Sequence, residues 1–379
     1  MEKNIPKKKI LFRNRSLEMG GIENVLLTIL NHLDQSKFEI TLLLNYEQGE
    51  FLGRVPEGIR VLSIGKGTHT FSKNKITYLI QKSLRRLNYH WFQKNPKAFY
   101  RKNQLLDLDF EVAFSHYMFE DILQSPNLKS KKLFWFHGDL RNSGFTVEEN
   151  NRFVHQMAQF DTGVFVSQFS KNIIEKTWGV VLNNSKVIFN LMPINEILEK
   201  SKQTQQDFAT IDFVSVGRLF RQKGFKDLLS AHIRLIKEGY AIKTLLIGEG
   251  NQRAELEKTI QDNNVSDSFI LGGYQQNPYF YIKTAACFIL PSYSEGYPLV
   301  IAESLLLETY VLSTSVGGIP ELIESKDEGI LFPPGPEHVY SAMKKVLTDR
   351  SFLQKNSDAK QKIINRNQHT LDQLHELFS

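Results

Sequence analysis

The chain has one cysteine, Cys287, in 379 residues. That excludes an internal disulfide framework and a zinc site built on several thiolates. No run of 18 apolar residues occurs, so no hydrophobic helix of membrane-crossing length is expected. With 23 glycines and 12 prolines, the composition is neither collagen-like nor low-complexity. Met1 to Lys9 is charged and leads into only three apolar residues, Ile10 to Phe12. A secretory signal needs a longer apolar region, so the expected location is the cytoplasm. Acidic residues are missing from one long stretch. Gly58 to Leu106 carries eleven Lys and Arg and no Asp or Glu, within a chain of net charge +6. Such a segment asks for an anionic partner: phosphate-rich lipid, nucleic acid or an acidic polymer.

What is present reads as alternating strands and helices. Lys9–Arg13, Phe38–Asn45 and Val61–Ile64 read as strands. Ile22, Val25, Leu26, Ile29, Leu30 and Leu33 recur at helical spacing after the Gly20-Gly21 pair. Further strands are expected at Phe110–Ser115, Lys132–His137, Asp161–Ser167 and Val187–Phe189, with a helix over Gln168–Thr177. Asn190 to about Asp207 is polar, contains Pro193 and reads as a linker. The second half repeats the pattern. Strands are expected at Asp212–Val216, Ile242–Ile247, Phe269–Leu271, Cys287–Leu290, Tyr310–Ser313 and Ile330–Phe332, with helices such as Phe225–Lys237 and Gln252–Asp262 between them. This alternation predicts an α/β protein of two doubly wound, Rossmann-like domains facing each other across a cleft. The boundaries are placed at 1–192, 193–348 and a helical tail 349–379 expected to cross back to the first domain.

Two loops carry chemistry. Gly217-Arg218-Leu219-Phe220-Arg221-Gln222-Lys223-Gly224 follows a strand and precedes a helix. Arg218 and Lys223 at a helix start form either a diphosphate clamp or a solvated loop. In Pro291-Ser292-Tyr293-Ser294-Glu295-Gly296-Tyr297-Pro298-Leu299-Val300-Ile301-Ala302-Glu303, Glu303 interrupts an apolar helix. It lies eight positions after Glu295, so both can point into one cleft. Gly296 permits close approach of a ligand, and the N–H groups of Leu299 and Val300 can meet an anion.

Together these motifs resemble family 4 of the glycosyltransferases, retaining enzymes of the GT-B fold. The resemblance runs from Lys9 to about Leu347. It includes Gly20-Gly21, His137, Val164-Phe165-Val166-Ser167, Ile188-Phe189-Asn190, Gly217-Arg218-Leu219 with Lys223-Gly224, Gly248-Glu249-Gly250, the Glu295…Glu303 pair and Gly317-Gly318-Ile319-Pro320-Glu321. The resemblance implies a nucleotide-sugar donor, with UDP expected, and a lipid-linked or oligosaccharide acceptor in bacterial surface polysaccharide assembly. It implies no metal and no other cofactor. By the same resemblance Arg218 and Lys223 bind the diphosphate, Glu303 holds the ribose and Glu295 contacts the donor sugar. His137 helps position the reaction, and Gly20 and Gly21 allow close backbone approach. Gly217, Gly248 and Glu249 line the donor, the last two as a tight turn near its base or phosphate. Front-side attack assisted by the leaving phosphate is favoured over a covalent intermediate. Two departures stand out: Tyr297-Pro298 where many members have Phe-Gly, and Leu307-Glu308-Thr309-Tyr310 where a Gly-containing turn is commoner.

Other readings remain. The second is an epimerase or hydrolase of UDP-N-acetylhexosamine, which needs acid–base groups that the sequence does not assign. The third is a catalytically silent glycan- or nucleic-acid-binding protein, against which Glu295, Arg218 and Lys223 argue. Nucleic acid is not an expected partner. The basic insert, about 66–105, has Ile76, Ile80, Leu84, Leu87 and Trp91 at helical spacing. Lys75, Lys82, Arg85, Arg86, Trp91 and Phe92 are expected to contact an anionic membrane surface at the inner face of the plasma membrane; the alternative is a core-packed helix with a solvated basic face. Asp107-Leu108-Asp109 reads as a cap at the start of a strand rather than a metal motif, the histidines other than His137 as structural, and Cys287 as a small buried residue.

Overall fold

A computed structural model describes residues 6–142, 144–203, 210–353 and 357–379. The expected linker lies partly outside them, at 204–207. The chain divides into two compact units, Met1–Leu191 with Thr370–Ser379, and Met192–His369.

Unit 1 holds seven strands: β1 (Lys8–Asn14), β2 (Phe38–Glu47), β3 (Arg60–Lys66), β4 (Phe110–Ala113), β5 (Lys131–Phe136), β6 (Thr162–Phe165) and β7 (Ser185–Val187). Its helices are α1 (Gly21–His32), α2 (Lys75–Lys94), α3 (Pro96–Lys102), α4 (Phe119–Leu123), α5 (Val147–Met157) and α6 (Gln168–Trp178). The strands form one sheet in the order β3-β2-β1-β4-β5-β6-β7, and every recorded pairing is parallel. A parallel sheet covered by helices has no solvated face, which is why Ile10 to Phe12 of β1, Leu42 to Leu44 of β2 and most of β4 are apolar and buried.

Local chemistry fixes the helix starts. Asn74 accepts from the Ile76 and Thr77 N–H groups and opens α2. Thr146 and Glu149 form a reciprocal capping box on α5. Asp109 accepts from the Lys9 N–H at 2.8 Å, tying the start of β4 to β1 as a cap.

α2 is fastened to the sheet by a buried polar knot. Arg13 of β1 is fully buried and meets Asp121 of α4 at 2.6 Å. It also donates to Asn45 at 2.8 Å. Its guanidinium lies 4.6 Å from the Phe92 ring centroid, and Tyr89 donates to Asp121 at 3.0 Å. The chain's last residues return to this unit: Phe378 packs edge-on against Phe12, Phe38 and Phe110.

Unit 2 begins with α7 (Ile194–Lys200), a helix inside the stretch read as linker. Its strands are β8 (Phe213–Val216), β9 (Thr244–Ile247), β10 (Phe269–Gly273), β11 (Cys287–Leu290), β12 (Tyr310–Thr314) and β13 (Gly329–Phe332). Its other helices are α8 (Phe225–Lys237), α9 (Arg253–Asp262), α10 (Tyr279–Thr284), α11 (Leu299–Leu306) and α12 (Pro336–Thr348), with α13 (Ser357–Leu377) following. The order β10-β9-β8-β11-β12-β13 reverses direction between β8 and β11. In open parallel sheets ligands bind beyond the strand C-termini at that reversal. Cys287 is wholly buried at the start of β11, and burial pushes its thiol pKa up. Glu308, at the expected Gly position, takes the left-handed φ of 58°, a conformation that costs a Cβ-bearing residue energy.

Candidate functional site

The loops after β8 and β11 flank the reversal point of the unit 2 sheet, and both carry the charged residues singled out above. The loop after β8 runs through Gly217 to Phe220, then a 3-10 turn, Arg221–Lys223, and Gly224 before α8. Leu219 is fully buried; its N–H donates to the Glu249 carbonyl at 2.8 Å, and its own carbonyl accepts from Gln252 N–H at 3.0 Å. This anchors the loop from below and leaves Arg218 exposed, its guanidinium 5.1 Å from the Phe220 ring centroid. Gly224 has φ +69°, and a Cβ there would fall 2.0 Å from the Pro291 carbonyl oxygen. Only glycine lets the two loops touch at that point. The Tyr293 N–H donates to the Gln222 carbonyl at 2.7 Å, a second stitch between them.

The two loops meet chemically at Lys223 and Glu295. The ammonium lies 2.6 Å from Glu295 Oε1, and both side chains are mostly buried, 17% and 9% exposed. Ser292 donates to the same carboxylate oxygen at 2.6 Å. Thr314 of β12 in turn donates to the Ser292 carbonyl. Glu295 is thus fixed by two donors at the reversal point. Pro298 precedes α11 with an extended ψ of 113°, so the first N–H groups of that helix belong to Leu299 and Val300. First-turn N–H groups have no acceptor within their own helix. Gly296 lies between Glu295 and this start; its carbonyl accepts from Gly318 N–H at 2.8 Å.

Glu303 sits one turn into α11, only 8% exposed. Burial pushes its pKa up to about 7, and a hydrogen bond from Tyr279 of α10 opposes that shift. The carboxylate thus titrates near neutrality, unlike a surface glutamate. Glu249 presents its side chain elsewhere: Arg253 holds its carboxylate at 2.7 Å, and Glu249 meets the loop after β8 through its backbone. Gly217 and Gly248 close the same turn, Gly217 N–H donating to Ile247 O at 3.0 Å and Gly248 N–H to Gly273 O at 2.8 Å. The structure therefore brings Lys223, Ser292 and Glu295 into direct contact, with Arg218 on the same loop and Glu303 on the helix that the other loop enters.

Gly20, Gly21 and His137 belong to unit 1. Gly20 precedes α1 in extended conformation, φ −167°, at the C-terminal edge of β1. His137 follows β5 at the same sheet edge. Both its ring nitrogens are buried and have no hydrogen-bond partner of good geometry among the described residues. Burial pushes its pKa down to about 3, weakly opposed by the Phe114 carbonyl. His116, just after β4, is likewise pushed down to about 4 by burial. Sequence reading treated it as structural; its place beside the β1/β4 reversal is a topological fact that no local pattern reveals.

The basic insert is α2 and α3. Ile76, Leu79, Ile80, Leu84, Leu87 and Trp91 are exposed, 52–71%, along one face of α2. Lys75 and Arg86 are exposed beside them, and Lys82 is half-buried. Two expected surface residues turn the other way. Phe92 is 1% exposed, drawn under the Arg13 guanidinium. Arg85 stacks 4.2 Å over Tyr46 and approaches Gln48. Phe92 is not available to an outside surface, and Arg85 is half-buried.

The comparisons agree with this architecture. Residues 196–367 match the family described as Glycosyl transferases group 1. The chain is 25% identical over 346 residues, 88% of each chain, to a Campylobacter jejuni protein. That relative is an N-acetylgalactosamine-N,N'-diacetylbacillosaminyl-diphospho-undecaprenol 4-alpha-N-acetylgalactosaminyltransferase. The chain is also 24% identical over 319 residues, 82% of each chain, to an uncharacterized glycosyltransferase of Haemophilus influenzae. A match to an uncharacterized glycosyltransferase of Methanocaldococcus jannaschii, 29% identical over 160 residues, spans 41% of this chain and 39% of that protein. Among solved structures, HepE of Anabaena in complex with UDP superposes with a TM-score of 0.74 over 97% of this chain and 99% of its own, at 19% identity. TarM of S. aureus, in complex with UDP among other ligands, gives 0.75 over 98% and 100%, at 12% identity. Fold and topology thus define a GT-B protein of two Rossmann-like units. The chain is a glycosyltransferase, and its residues 196–367 match the group 1 family.

Proposed function

We propose that the chain is a retaining glycosyltransferase of family 4. It moves a sugar from a UDP-sugar to a lipid-linked or oligosaccharide acceptor in bacterial surface polysaccharide assembly. The observation that carries this reading is the Lys223–Ser292–Glu295 contact at the reversal of the unit 2 sheet, with Arg218 on the same loop. UDP is favoured because HepE and TarM are both solved with it. A lipid-linked acceptor is favoured by the diphospho-undecaprenol in the C. jejuni relative's name.

Breaking the bond to the anomeric carbon puts negative charge on the departing diphosphate. Preorganised cations lower that barrier. Arg218 supplies a planar fork and Lys223 a compact charge, and the Leu299 and Val300 N–H groups add the helix start. Lys223 is partnered by Glu295, so an arriving diphosphate shares the ammonium with that carboxylate. Glu295 then lies where the donor sugar meets the diphosphate and accepts from its hydroxyls. Glu303 accepts from the ribose hydroxyls. The reacting sugar passes through an oxocarbenium-like state, and we favour front-side attack over a covalent intermediate. His137, neutral at physiological pH, acts as a hydrogen-bonding contact to the sugar rather than as a charge. Gly20 and Gly21 let the backbone approach the substrates. No metal or other cofactor is assigned a part.

The exposed apolar stripe of α2, flanked by Lys75, Lys82 and Arg86, suits shallow insertion among anionic lipid headgroups. The working location is therefore the cytoplasmic face of the plasma membrane. The transfer reading is tested by incubating the protein with a panel of nucleotide sugars and measuring nucleotide release and thermal stabilisation. The expected result is that UDP-sugars raise the Tm and release UDP slowly in water, faster with acceptor. Stabilisation by none of the panel contradicts the reading.

A further inference from the structure

The loop that carries Glu295 is held a second time, from its backbone side, by one residue of α13. Glu295 and Gly296 rest on the loop after β12. Gly317 of that loop has φ +60°, and a Cβ on it would fall 2.0 Å from the Glu295 carbonyl oxygen. The Gly318 N–H donates to the Gly296 carbonyl at 2.8 Å. The loop then enters a single 3-10 turn, Ile319–Glu321. The last carbonyls of a short helix need a donor from elsewhere. Arg366 of α13 supplies one. Its Nη1 donates to the Glu321 carbonyl at 2.7 Å and its Nη2 to Glu324 at 2.6 Å.

The same guanidinium reaches the Glu295 loop directly. Nη1 also donates to the Tyr297 hydroxyl at 3.5 Å. Tyr297 is the next residue but one after Glu295 and is only 6% exposed. Burial pushes its pKa up to about 12, opposed by the Arg366 charge, so it stays a neutral phenol. A phenylalanine would fill the same space and offer Arg366 no oxygen. Arg366 is itself held in place on α13. One turn earlier, Lys362 meets Glu328 at 2.7 Å. In the next position, Asn367 accepts from the Met192 N–H at 2.8 Å and donates to the Met192 carbonyl at 3.1 Å.

This brace matters because the chain around Glu295 does little to hold itself. Gly296 leaves the backbone free to rotate, and Pro298 has no N–H to bond. The Glu295 carboxylate is fixed by Lys223 and Ser292, but an arriving diphosphate shares Lys223. The hold on the backbone is then what keeps the carboxylate in place. Arg366 acts on it by two routes, through the Ile319–Glu321 turn and through Tyr297. A lysine, with one compact charge, cannot span the three acceptors that the planar fork reaches.

We propose that Arg366 is a positioning residue for glycosyl transfer, which acts through Tyr297 and the Ile319–Glu321 turn to fix Glu295 against the donor sugar. The part in transfer rests on the reading above; the brace on the loop does not. The test compares the full chain with Arg366→Gln, Arg366→Lys, Tyr297→Phe and the Tyr297→Phe/Arg366→Gln double variant, each checked for folding by its thermal melt. Amide hydrogen exchange read by mass spectrometry needs no ligand. Arg366→Gln is expected to speed exchange over 294–302 and 316–322 by roughly tenfold and to leave α8 unchanged. With the UDP-sugar that the wild type turns over fastest, Arg366→Gln is expected to lower kcat roughly tenfold and Tyr297→Phe about threefold, while KM and the Kd for UDP stay within about twofold. Arg366→Lys should follow Arg366→Gln rather than the wild type. The double variant should match Arg366→Gln alone, because Tyr297 acts only through Arg366. A kcat within about twofold of the wild type in Arg366→Gln, a loss of UDP affinity as large as the loss of kcat, or unchanged exchange over 294–302 overturns the proposal. If the wild type turns over no nucleotide sugar while exchange rises in the variant, the transfer reading fails and the brace stands. If UDP-sugars are turned over and exchange does not change, the reverse follows.

Discussion

Replacing Glu303 by Gln removes a buried carboxyl group while keeping its shape and its hydrogen bond to Tyr279. Burial moves this group from the ordinary 4.5 to about 7. At 1.36 kcal/mol per pKa unit, ionising it in the folded chain costs about 3 kcal/mol more than in the unfolded one. The sign follows from proton counting. Between pH 4.5 and about 7 the folded protein holds a proton that the unfolded chain has released, so stability falls as pH rises. The contribution is whole below pH 4.5 and gone above about 7. The amide that replaces the carboxyl group does not titrate. Glu303→Gln should therefore match the wild type in stability near pH 4.5 and exceed it by up to about 3 kcal/mol at pH 8. Urea melts of both proteins across this range read the difference directly. Ligand binding should run the other way. Ribose hydroxyls donate to an ionised carboxylate better than to a neutral amide, so at pH 8 the variant should bind UDP roughly tenfold more weakly. A terminal phosphate itself titrates at about 6, which the comparison with the variant cancels. A stability difference that stays flat from pH 4.5 to 8, or UDP binding by the variant as tight as the wild type's at pH 8, would refute the reasoning.

Three further outcomes are expected. Lys223→Gln should lower kcat by roughly 10²–10³, the loss typical of one donor to a transition-state charge; steady-state kinetics showing less than a fivefold loss would remove Lys223 from the mechanism. Gly224→Ala should destabilise unit 2 by roughly 2 kcal/mol or more, because the new Cβ would lie 2.0 Å from the Pro291 carbonyl oxygen; a wild-type Tm would contradict the loop contact. Replacing the exposed Ile80, Leu84 and Leu87 by Ser should leave the Tm nearly unchanged but lower binding to vesicles of anionic lipid by roughly tenfold or more. Unchanged co-sedimentation would argue against α2 as the membrane contact.

The parts legible in the sequence were those that depend on neighbours along the chain. Each expected strand is present, and β11 and α8 have the expected limits, because the buried parallel strands have apolar stretches and α8 has a clear helical period. Helix α5 was missed although its Thr146/Glu149 capping box stands in the sequence. What depends on distant residues was not legible. Arg13 and Asp121 are 108 positions apart, yet their buried pair decides which way α2 faces. The apolar period along α2 correctly picked out Ile80, Leu84 and Leu87 as one stripe, but the same pattern suits a buried or an exposed face. Phe92 was assigned outward because only the Arg13 knot draws it inward. In the candidate site, Lys223 and Glu295 were chosen by residue type and position, whereas their contact, 72 positions apart, needed the fold. Ser292, which completes that contact, gave no signal of its own.

The most direct test of the account is the crystal structure of the chain with UDP. The account predicts diphosphate oxygens within about 3 Å of Lys223 Nζ and the Arg218 guanidinium, with the ribose hydroxyls on Glu303. UDP bound away from the loops after β8 and β11, with Lys223 still paired to Glu295 and Glu303 untouched, would contradict it.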